Sequence, residues 1–403
     1  MRAFRFVHAA DLHLDSPFRG LAQTALGDDL QSATFRAFDR IVTHALHSRS
    51  DFVVLAGDLY DSRDRSLRAL VEFRRQMERL AEHGIPVYIV HGNHDPLDGW
   101  GSRFGMPDNV CVFDGEAREV AVVRDGREIA RITGVSYTEE RVTRNLARSL
   151  PPARDGAYSI AVLHANVGGQ SGHAAYAPAS IADLVEAGFD YWALGHIHTH
   201  AVLSRSPTIA YPGNPQGRHA RETGPRGCYE VTVTQNGRTH LKFVETDVVR
   251  WEELDFSIAG YTRMEELLDG LKAEARRMAS GFDGPVVLRC RLAGSGPLHA
   301  DLERDGVSED LADELRGHVH VESLRLETRS SADRQELARS EPVIGDFLKL
   351  VERAKQDPEY RSYLEQSLSP LFRRRDLPAP DASRIDEWIE RAGNLGLDLL
   401  LDP

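Results

Sequence analysis

Residues 4–15 read FRFVHAADLHLD, a short apolar run that gives way at once to a segment of acidic residues and histidine. The apolar run predicts a strand over Phe4–Ala9. Four further runs of this kind, separated by amphipathic helical stretches, predict strands over Phe52–Ala56, Pro86–Val90, Ser159–Leu163 and Tyr191–Leu194. This alternation of strands and helices is typical of a layered α/β core.

The chain has 403 residues, which is too long for one ordinary core, so more than one domain is expected. A first domain is predicted over residues 1–250, where β-rich runs and a QNG turn at 235–237 follow the α/β pattern. From residue 251 the order becomes strand, helix, strand, helix and strand, which predicts a compact α+β domain over 251–330. Residues 331–403 are predicted to form a helical region.

The composition is that of a globular protein, with 41% hydrophobic and 28% charged residues. No apolar run approaches the roughly 18 residues that span a bilayer, so no membrane association is expected. The net charge of −13 counts against a protein that binds nucleic acid through its whole surface. A local basic groove, or metal ions that neutralise phosphate at one site, is still compatible with this charge.

Cysteine usage and the N-terminus predict a cytoplasmic location. The three cysteines are far apart in the sequence, so neither a disulfide framework nor a zinc-thiolate site is expected. The apolar stretch at the N-terminus is shorter than the about 7–15 residues of a cleavable signal. Cleavage would also remove Asp11 and His13, which are candidate metal ligands.

Five short polar segments share one feature, because each comes directly after a predicted strand. They are Asp11-Leu12-His13, Gly57-Asp58-Leu59-Tyr60-Asp61, Gly92-Asn93-His94-Asp95, His164-Ala165-Asn166 and Gly195-His196-Ile197-His198. In open α/β sheets, ligands bind beyond the carboxyl ends of the strands. Carboxylates, imidazoles and an amide oxygen together suit divalent ions such as Mn²⁺ or Fe²⁺. Any single segment is compatible with a turn or a cap, but all five in this order indicate a metal centre.

Over residues 3–245, these segments resemble the metal motifs of the calcineurin-like metallophosphoesterase superfamily. Within it, DLHLDSPF at 11–18 and YPGNPQGRHARETGPRG at 211–227 resemble the bacterial YhaO-like and SbcD-like DNA repair nucleases. The resemblance implies a layered β-sandwich flanked by helices, with a small α+β capping domain. It also implies that the helical C-terminal region docks on an SMC-like ATPase partner, and a homodimer is a further expectation. The apolar positions of the last helix would pack equally well on the chain's own body; they are Ile385, Trp388 and Ile389.

The resemblance assigns seven residues to two divalent metal ions. Asp58 bridges the two ions, one of which is held by Asp11, His13 and His198, and the other by Asn93, His164 and His196. Mn²⁺ is the expected metal, with Fe²⁺ and Mg²⁺ as alternatives. Two such ions lower the pKa of a shared water from about 15.7 to about 7, which supplies the nucleophile for phosphoester hydrolysis.

Two residues next to these ligands are assigned to catalysis. His94 would lie beside the scissile phosphate and help the leaving oxygen depart, acting as a proton or hydrogen-bond donor. Asp95 would orient His94, because carboxylates commonly fix the orientation of imidazoles at metal sites. No role is assigned to Asp61.

A DNA substrate requires positive charge beside the metal centre. Four residues that follow the last metal ligands are candidate DNA contacts, and we call them the basic lip: Arg218, His219, Arg221 and Arg226. The alternative is a solvated loop that contacts no substrate.

The sequence therefore predicts a metal-dependent DNA exonuclease of the DNA repair type. One alternative is a phosphoesterase that acts on a small molecule or a phosphoprotein. Protein phosphatases of the superfamily usually have Glu where this chain has Asp95, and an Arg-Gly soon after the bridging aspartate, which this chain lacks. A second alternative is a scaffold subunit of an SMC-like ATPase complex, against which the complete set of ligands counts.

Overall fold

The computed structural model describes residues 2–18, 27–61, 66–99, 104–154, 156–169, 176–331, 337–339, 341–373 and 382–401. The chain forms two compact units, of which the first comprises Met1–Glu253 with Met278–Leu288. The second comprises Leu254–Arg277 with Arg289–Pro403. The boundary predicted at residue 250 lies close to the end of the first long segment, and the boundary predicted at residue 330 falls inside the second unit. The division into three domains stays a prediction.

Within the described residues, the first unit contains two six-stranded sheets. In chain order, its strands are β1 (Phe4–Ala9), β2 (Phe52–Ala56), β3 (Val87–Val90), β4 (Val110–Val112), β5 (Arg118–Arg124), β6 (Arg127–Gly134), β7 (Tyr158–His164), β8 (Tyr191–Gly195), β9 (Ala201–Arg205), β10 (Thr208–Tyr211), β11 (Gly227–Val233) and β12 (Thr239–Glu245). Its helices are α1 (Gly27–His47), α2 (Leu67–Glu82) and α3 (Ile181–Glu186), with a 3₁₀ turn at Ala147–Ser149. The first sheet has the order β12-β11-β1-β2-β3-β4, and the second has the order β5-β6-β7-β8-β10-β9.

The two sheets face each other across one apolar core. Because side chains alternate between the faces of a strand, Phe6 of β1 and Phe52 of β2 point into this core, while Val7 points to the helices. The rings of Phe6 and Phe52 stack with centroids 4.7 Å apart, and burial of each contributes roughly 1.5–3 kcal/mol. The outer face of the first sheet packs on α1 and α2, and that of the second packs on α3. The predicted layered sandwich flanked by helices is confirmed.

The hairpin formed by β5 and β6 is a part of the second sheet that the sequence analysis did not predict. Its turn consists of Asp125 and Gly126, with φ of 52° and 70°. Such left-handed values match the twist of two-residue hairpin turns, for which Asp-Gly is a preferred sequence. Charged residues at the ends of both strands hide the apolar alternation, so the Asp-Gly step was the available signal.

The second unit contains most of a three-stranded sheet and the C-terminal helices. The strands β13 (Arg250–Ser257), β14 (Val286–Gly296) and β15 (His320–Ser330) lie in that order. The helices are α4 (Met264–Ala279), α5 (His299–Leu302), α6 (Val307–Leu315), α7 (Pro342–Gln356), α8 (Pro358–Arg373) and α9 (Ala382–Leu401). The predicted mixed region and the helical C-terminal region are therefore confirmed. None of the helices in the described ranges has the length and apolar character that a bilayer span requires.

Candidate metal centre

The polar segments lie at the carboxyl ends of parallel strands. In the first sheet, β1, β2 and β3 are parallel, and in the second, β7 and β8 are parallel. Parallel strands end at the same edge of a sheet, so the loops after them are neighbours. The Nδ1 atom of His164, at the end of β7, lies 3.0 Å from the carbonyl oxygen of Ala56 at the end of β2. This contact brings the ligand-bearing edges of the two sheets together.

Four of the predicted ligands have a left-handed backbone. The φ angles are 53° at Asp11, 43° at His13, 50° at Asp58 and 100° at His196. For residues with a side chain, such conformations cost on the order of 1–3 kcal/mol each and cluster at functional sites. Backbone hydrogen bonds hold two of the loops together, because Asp11 N donates to Gly57 O and His13 N donates to Asp58 O, both at 3.0 Å.

The side chains of these loops form three overlapping clusters, in each of which the potential ligand atoms lie within 4.8 Å of one another. The clusters are Asp11 with His13 and His198, Asp11 with Asp58 and His164, and His13 with Asp58 and His94. Because the clusters share carboxylates, two cations bound here would be neighbours.

On one side of the site, His164 lies close to several of the other predicted ligands. Its Nε2 atom lies 3.1 Å from Asn93 Oδ1 and 3.3 Å from Asp58 Oδ2. Its Nδ1 atom faces the carbonyl oxygen at the end of β2, so Nδ1 carries the proton and Nε2 presents its lone pair to a metal. The ring of His196 packs edge-on against that of His164, with centroids 5.2 Å apart. The backbone N–H of His196 donates to both carboxylate oxygens of Asp11 at 3.1 Å.

His13 and His198 form the other side of the site. Their Nε2 atoms are 3.2 Å apart. Each Nδ1 atom faces a carboxylate, at 3.3 Å from Asp61 Oδ1 for His13 and at 2.6 Å from Glu222 Oε1 for His198. The facing Nε2 atoms therefore present lone pairs to each other, at about the spacing of two adjacent ligands roughly 2.1 Å from one ion. Glu222 was not predicted as part of the site.

The ionisation of these groups suits a divalent cation. Burial would raise the pKa of Asp58, but the charge and the hydrogen bond of His164 hold it well below its ordinary value. Burial raises the pKa of Asp11 to about 6. Burial would lower the pKa of His164, but the charge and hydrogen bond of Asp58, together with the charge of Asp11, raise it to about 9. Burial and the charge of Arg218 lower the pKa of His13 to about 3. A proton on His164 thus partly neutralises two buried carboxylates, and a bound cation would displace it.

Three glycines let the ligands approach one another closely. A Cβ atom at Gly92 would lie less than 3.0 Å from Asp58 Oδ1, and one at Gly57 or Gly195 would lie equally close to His164 Nδ1. Carboxylates, imidazoles and the Asn93 amide oxygen are hard and borderline ligands of the kind that Mn²⁺ and Fe²⁺ accept. The residues present therefore fit a pair of divalent cations.

His94 lies at the edge of this site and is half-buried. Its Nδ1 atom is 2.8 Å from the carbonyl oxygen of Asp61, and its backbone N–H donates to Asp58 Oδ1 at 2.9 Å. Because a carbonyl oxygen only accepts, Nδ1 carries a proton and Nε2 is the nitrogen that can serve a substrate. His94 also belongs to a cluster with His13 and Asp58, so metal content is the measurement that separates a ligand from a proton donor.

Asp95 joins two ligand loops. It is fully buried and accepts hydrogen bonds from the backbone N–H groups of Gly92 at 2.8 Å and Leu59 at 2.9 Å. It also lies 3.1 Å from Nδ1 of His91. Nδ1 of His94 faces the backbone carbonyl oxygen of Asp61, and the orientation of His94 by Asp95 stays a prediction. The structure thus gives Asp95 the task of holding together the loops after β2 and β3.

The basic lip divides into buried and exposed members. Arg226 is buried, and its guanidinium donates to the carbonyl oxygen of His198 at 2.6 Å. The side chain of Arg218 is only 13% exposed and is paired with a carboxylate. His219 and Arg221 are exposed. The prediction that Arg226 contacts DNA is at odds with its burial, and His219 and Arg221 are the exposed members of the basic lip.

Comparison with known proteins gives matches over most of the chain. Residues 4–200 match the family model described as calcineurin-like phosphoesterase, and residues 251–329 match the middle domain of metallophosphoesterase YhaO. The chain is 35% identical to the uncharacterized metallophosphoesterase YhaO of Bacillus subtilis over 387 residues, which cover 90% of this chain and 92% of that protein.

Two archaeal proteins named DNA double-strand break repair protein Mre11 are also similar to this chain. The protein from Archaeoglobus fulgidus is 29% identical over 91% of this chain and 85% of its own length. The protein from Aeropyrum pernix is 31% identical over 52% of this chain and 53% of its own length.

Proposed function

The chain belongs to the calcineurin-like metallophosphoesterase family, and from that premise we propose that it is a metal-dependent DNA exonuclease of the DNA repair type. Membership makes it a phosphoester hydrolase with a dinuclear metal centre, and the proposal adds the DNA substrate. The observation that supports this proposal most strongly is that two clusters of potential metal ligands share Asp58. In addition, the exposed Arg221 lies on the loop that also supplies Glu222. Similarity to proteins named for DNA double-strand break repair supports the choice of substrate.

Seven residues would hold the two ions. They are Asp11, His13 and His198 on one side, Asn93, His164 and His196 on the other, and Asp58 between them. We propose Mn²⁺ as the metal, with Fe²⁺ or Mg²⁺ as alternatives, because the ligands are carboxylates, imidazoles and an amide. When bound, the ions supply a water of lowered pKa and positive charge for the phosphoryl oxygens.

The chain's own residues position the phosphate and handle the proton. The Nδ1 proton of His94 is held by the Asp61 carbonyl oxygen, so a protonated ring has its Nε2–H free to donate to the leaving oxygen. The amide oxygen of Asn93 faces His164, which leaves the amide N–H₂ group as a donor to a phosphoryl oxygen. Arg221 would add a contact with a neighbouring backbone phosphate.

The runner-up is a phosphoesterase that acts on a small molecule or a phosphoprotein. Burial of Arg226 and near-burial of Arg218 favour it, because they remove two of the four members of the basic lip from the surface. A scaffold subunit of an SMC-like ATPase complex is the third candidate, and the intact clusters count against it.

We further propose a cytoplasmic location, an SMC-like ATPase partner and a homodimer. Three free cysteines suit a reducing compartment. On α9, Leu395 and Leu399 are 62% and 68% exposed, which suits a helix that binds another protein, whereas Ile385 is buried.

Assays of the purified protein with Mn²⁺ on single-stranded DNA, double-stranded DNA and p-nitrophenyl phosphoesters test the proposal. Shortening of DNA by the wild type, but not by Asp58→Ala, is the expected result. Turnover of the p-nitrophenyl esters without any cleavage of DNA would establish the runner-up. A protein that binds two ions yet hydrolyses neither substrate would be the scaffold. Parallel reactions with Fe²⁺ and Mg²⁺ identify the metal that supports the highest rate.

A further inference from the structure

The two sides of the metal centre are held in different ways. On one side, His164 is oriented by a backbone carbonyl oxygen, that of Ala56. On the other side, Nδ1 of His198 donates to Glu222 Oε1 at 2.6 Å, and Nδ1 of His13 lies 3.3 Å from Asp61 Oδ1. A carboxylate behind a metal-binding imidazole raises the basicity of the ring as well as fixing its orientation. The Nδ1 atom of His164 thus faces a backbone carbonyl oxygen, whereas those of His13 and His198 face carboxylates.

The carboxylate of Glu222 is surrounded by hydrogen-bond donors. Its Oε1 atom lies 2.6 Å from His198 Nδ1, and its Oε2 atom accepts from Asn214 Nδ2 at 2.9 Å and from Arg218 N at 2.7 Å. Both oxygens thus face donors, and an amide in this place would turn its own N–H₂ group toward one of them.

Arg218 links the two orienting carboxylates. Its guanidinium lies 2.7 Å from Asp61 Oδ1 through one terminal nitrogen and 3.5 Å from Glu222 Oε1 through the other. The same Asp61 oxygen is the one that faces His13. Arg218 therefore joins the loop after β2 to the loop between β10 and β11, which spans residues 212–226 and which we call the β10–β11 loop.

The β10–β11 loop is itself rigidly held by buried polar groups. Gln216 is almost fully buried, donates to Val249 O at 2.6 Å and accepts from Val248 N at 2.8 Å. Trp251 Nε1 donates to Gly217 O at 3.0 Å. These bonds fix the backbone that carries Glu222. A substitution at Glu222 should therefore alter the position of the His198 ring, because the loop cannot shift to compensate.

We propose that Glu222 and Asp61, joined by Arg218, are positioning residues that set the affinity of one of the two metal positions, the one held by His13 and His198. This inference rests on the metal centre of the proposed function and adds to it a separate control of one ion. Glu222 and Asp61 face the histidines of this position, whereas the imidazole of His164 at the other position faces a backbone carbonyl oxygen. Replacing either carboxylate by an amide should weaken the binding of one ion and leave the binding of the other unchanged.

Titration of metal-free protein with Mn²⁺, followed by calorimetry, tests the inference with the variants Glu222→Gln and Asp61→Asn. The wild type should bind two ions. Each variant should keep one ion at its wild-type affinity and lose about 10–100-fold in affinity for the other, the usual effect of removing such a partner. Electron paramagnetic resonance at one equivalent of Mn²⁺ should then show an isolated ion in the variants.

The matched control is Glu230→Gln. Glu230 also pairs with a histidine and an arginine, at 2.8 Å from His44 Nε2 and 3.4 Å from Arg5 Nε, but it belongs to β11 and not to the site. This variant should bind both ions as the wild type does. Thermal unfolding without metal identifies any variant that fails to fold, and the more exposed Asp61→Asn keeps the test available if Glu222→Gln does fail.

Two results would overturn the inference: unchanged binding of both ions in Glu222→Gln and Asp61→Asn, or equal weakening of both ions. A wild type that binds two ions but does not cleave DNA would overturn the nuclease proposal alone, since the titration would still report on Glu222.

Discussion

Replacing Gly92 by alanine tests whether the metal ligands must approach as closely as the structure places them. The backbone of Gly92 does not need left-handed φ, so any effect comes from the added methyl group. That group would lie less than 3.0 Å from Asp58 Oδ1, from Asp58 N and from His164 Cδ2, whereas ordinary contact begins at 3.4 Å. The Asp58 carboxylate would have to move by roughly 1 Å, and metal sites tolerate only about 0.2 Å. Because Asp58 serves both ions, Gly92→Ala should weaken both.

The expected magnitude is a fall in turnover of at least about 10²-fold, the usual effect of a 1 Å misplacement in an active site. Overpacking should cost about 1–3 kcal/mol of folding free energy, so the protein should still fold. Mn²⁺ content by mass spectrometry and turnover of a p-nitrophenyl phosphoester measure the two effects. Gly105→Ala is the control, because its Cβ would have no neighbour within 4 Å. Full occupancy by two ions and wild-type turnover in Gly92→Ala would show that the metal ligands do not need this close approach.

Three further predictions concern residues around the ligands. His94→Ala should keep both ions and lose roughly 10²–10⁴-fold in turnover, as expected for one acid–base group, and loss of metal in proportion to activity would show that His94 is a ligand. Asp95→Ala should lower the free energy of unfolding of the metal-free protein by about 1–3 kcal/mol for each of the two N–H groups left without an acceptor, and an unchanged denaturant midpoint would contradict its joining role. Arg221→Glu should flatten the dependence of log binding constant on log salt by about 0.7–0.9, while Arg127→Glu, which changes the charge equally at the far end of β6, should leave it unchanged. The same slope in Arg221→Glu as in the wild type would remove Arg221 as a DNA contact.

The sequence was informative where function depends on strand order. Asp11, Asp58 and Asn93 follow successive parallel strands, and this local pattern is enough to predict that they meet at one edge. The partner of each imidazole was not predictable in the same way. Glu222 reaches His198 across 24 positions of chain, and only the conformation of the β10–β11 loop decides which oxygen meets which nitrogen.

The exposure of the arginines in the basic lip also could not be predicted from the sequence. Arg218 and Arg226 count as positive charge in the sequence, and nothing in their neighbours distinguishes them from Arg221. In the fold, Arg226 supports the backbone of the loop and Arg218 pairs with the carboxylate of Asp61. Burial and pairing, rather than residue type, decide which arginine is free for a phosphate.

X-ray diffraction at the manganese absorption edge, from crystals of the Mn²⁺-loaded protein, would show directly whether two ions share Asp58. Two anomalous peaks are expected on either side of the Asp58 carboxylate, one bonded to His13 and His198 and the other bonded to Asn93 and His164. A single peak, or peaks that do not contact Asp58, would contradict the two-metal assignment.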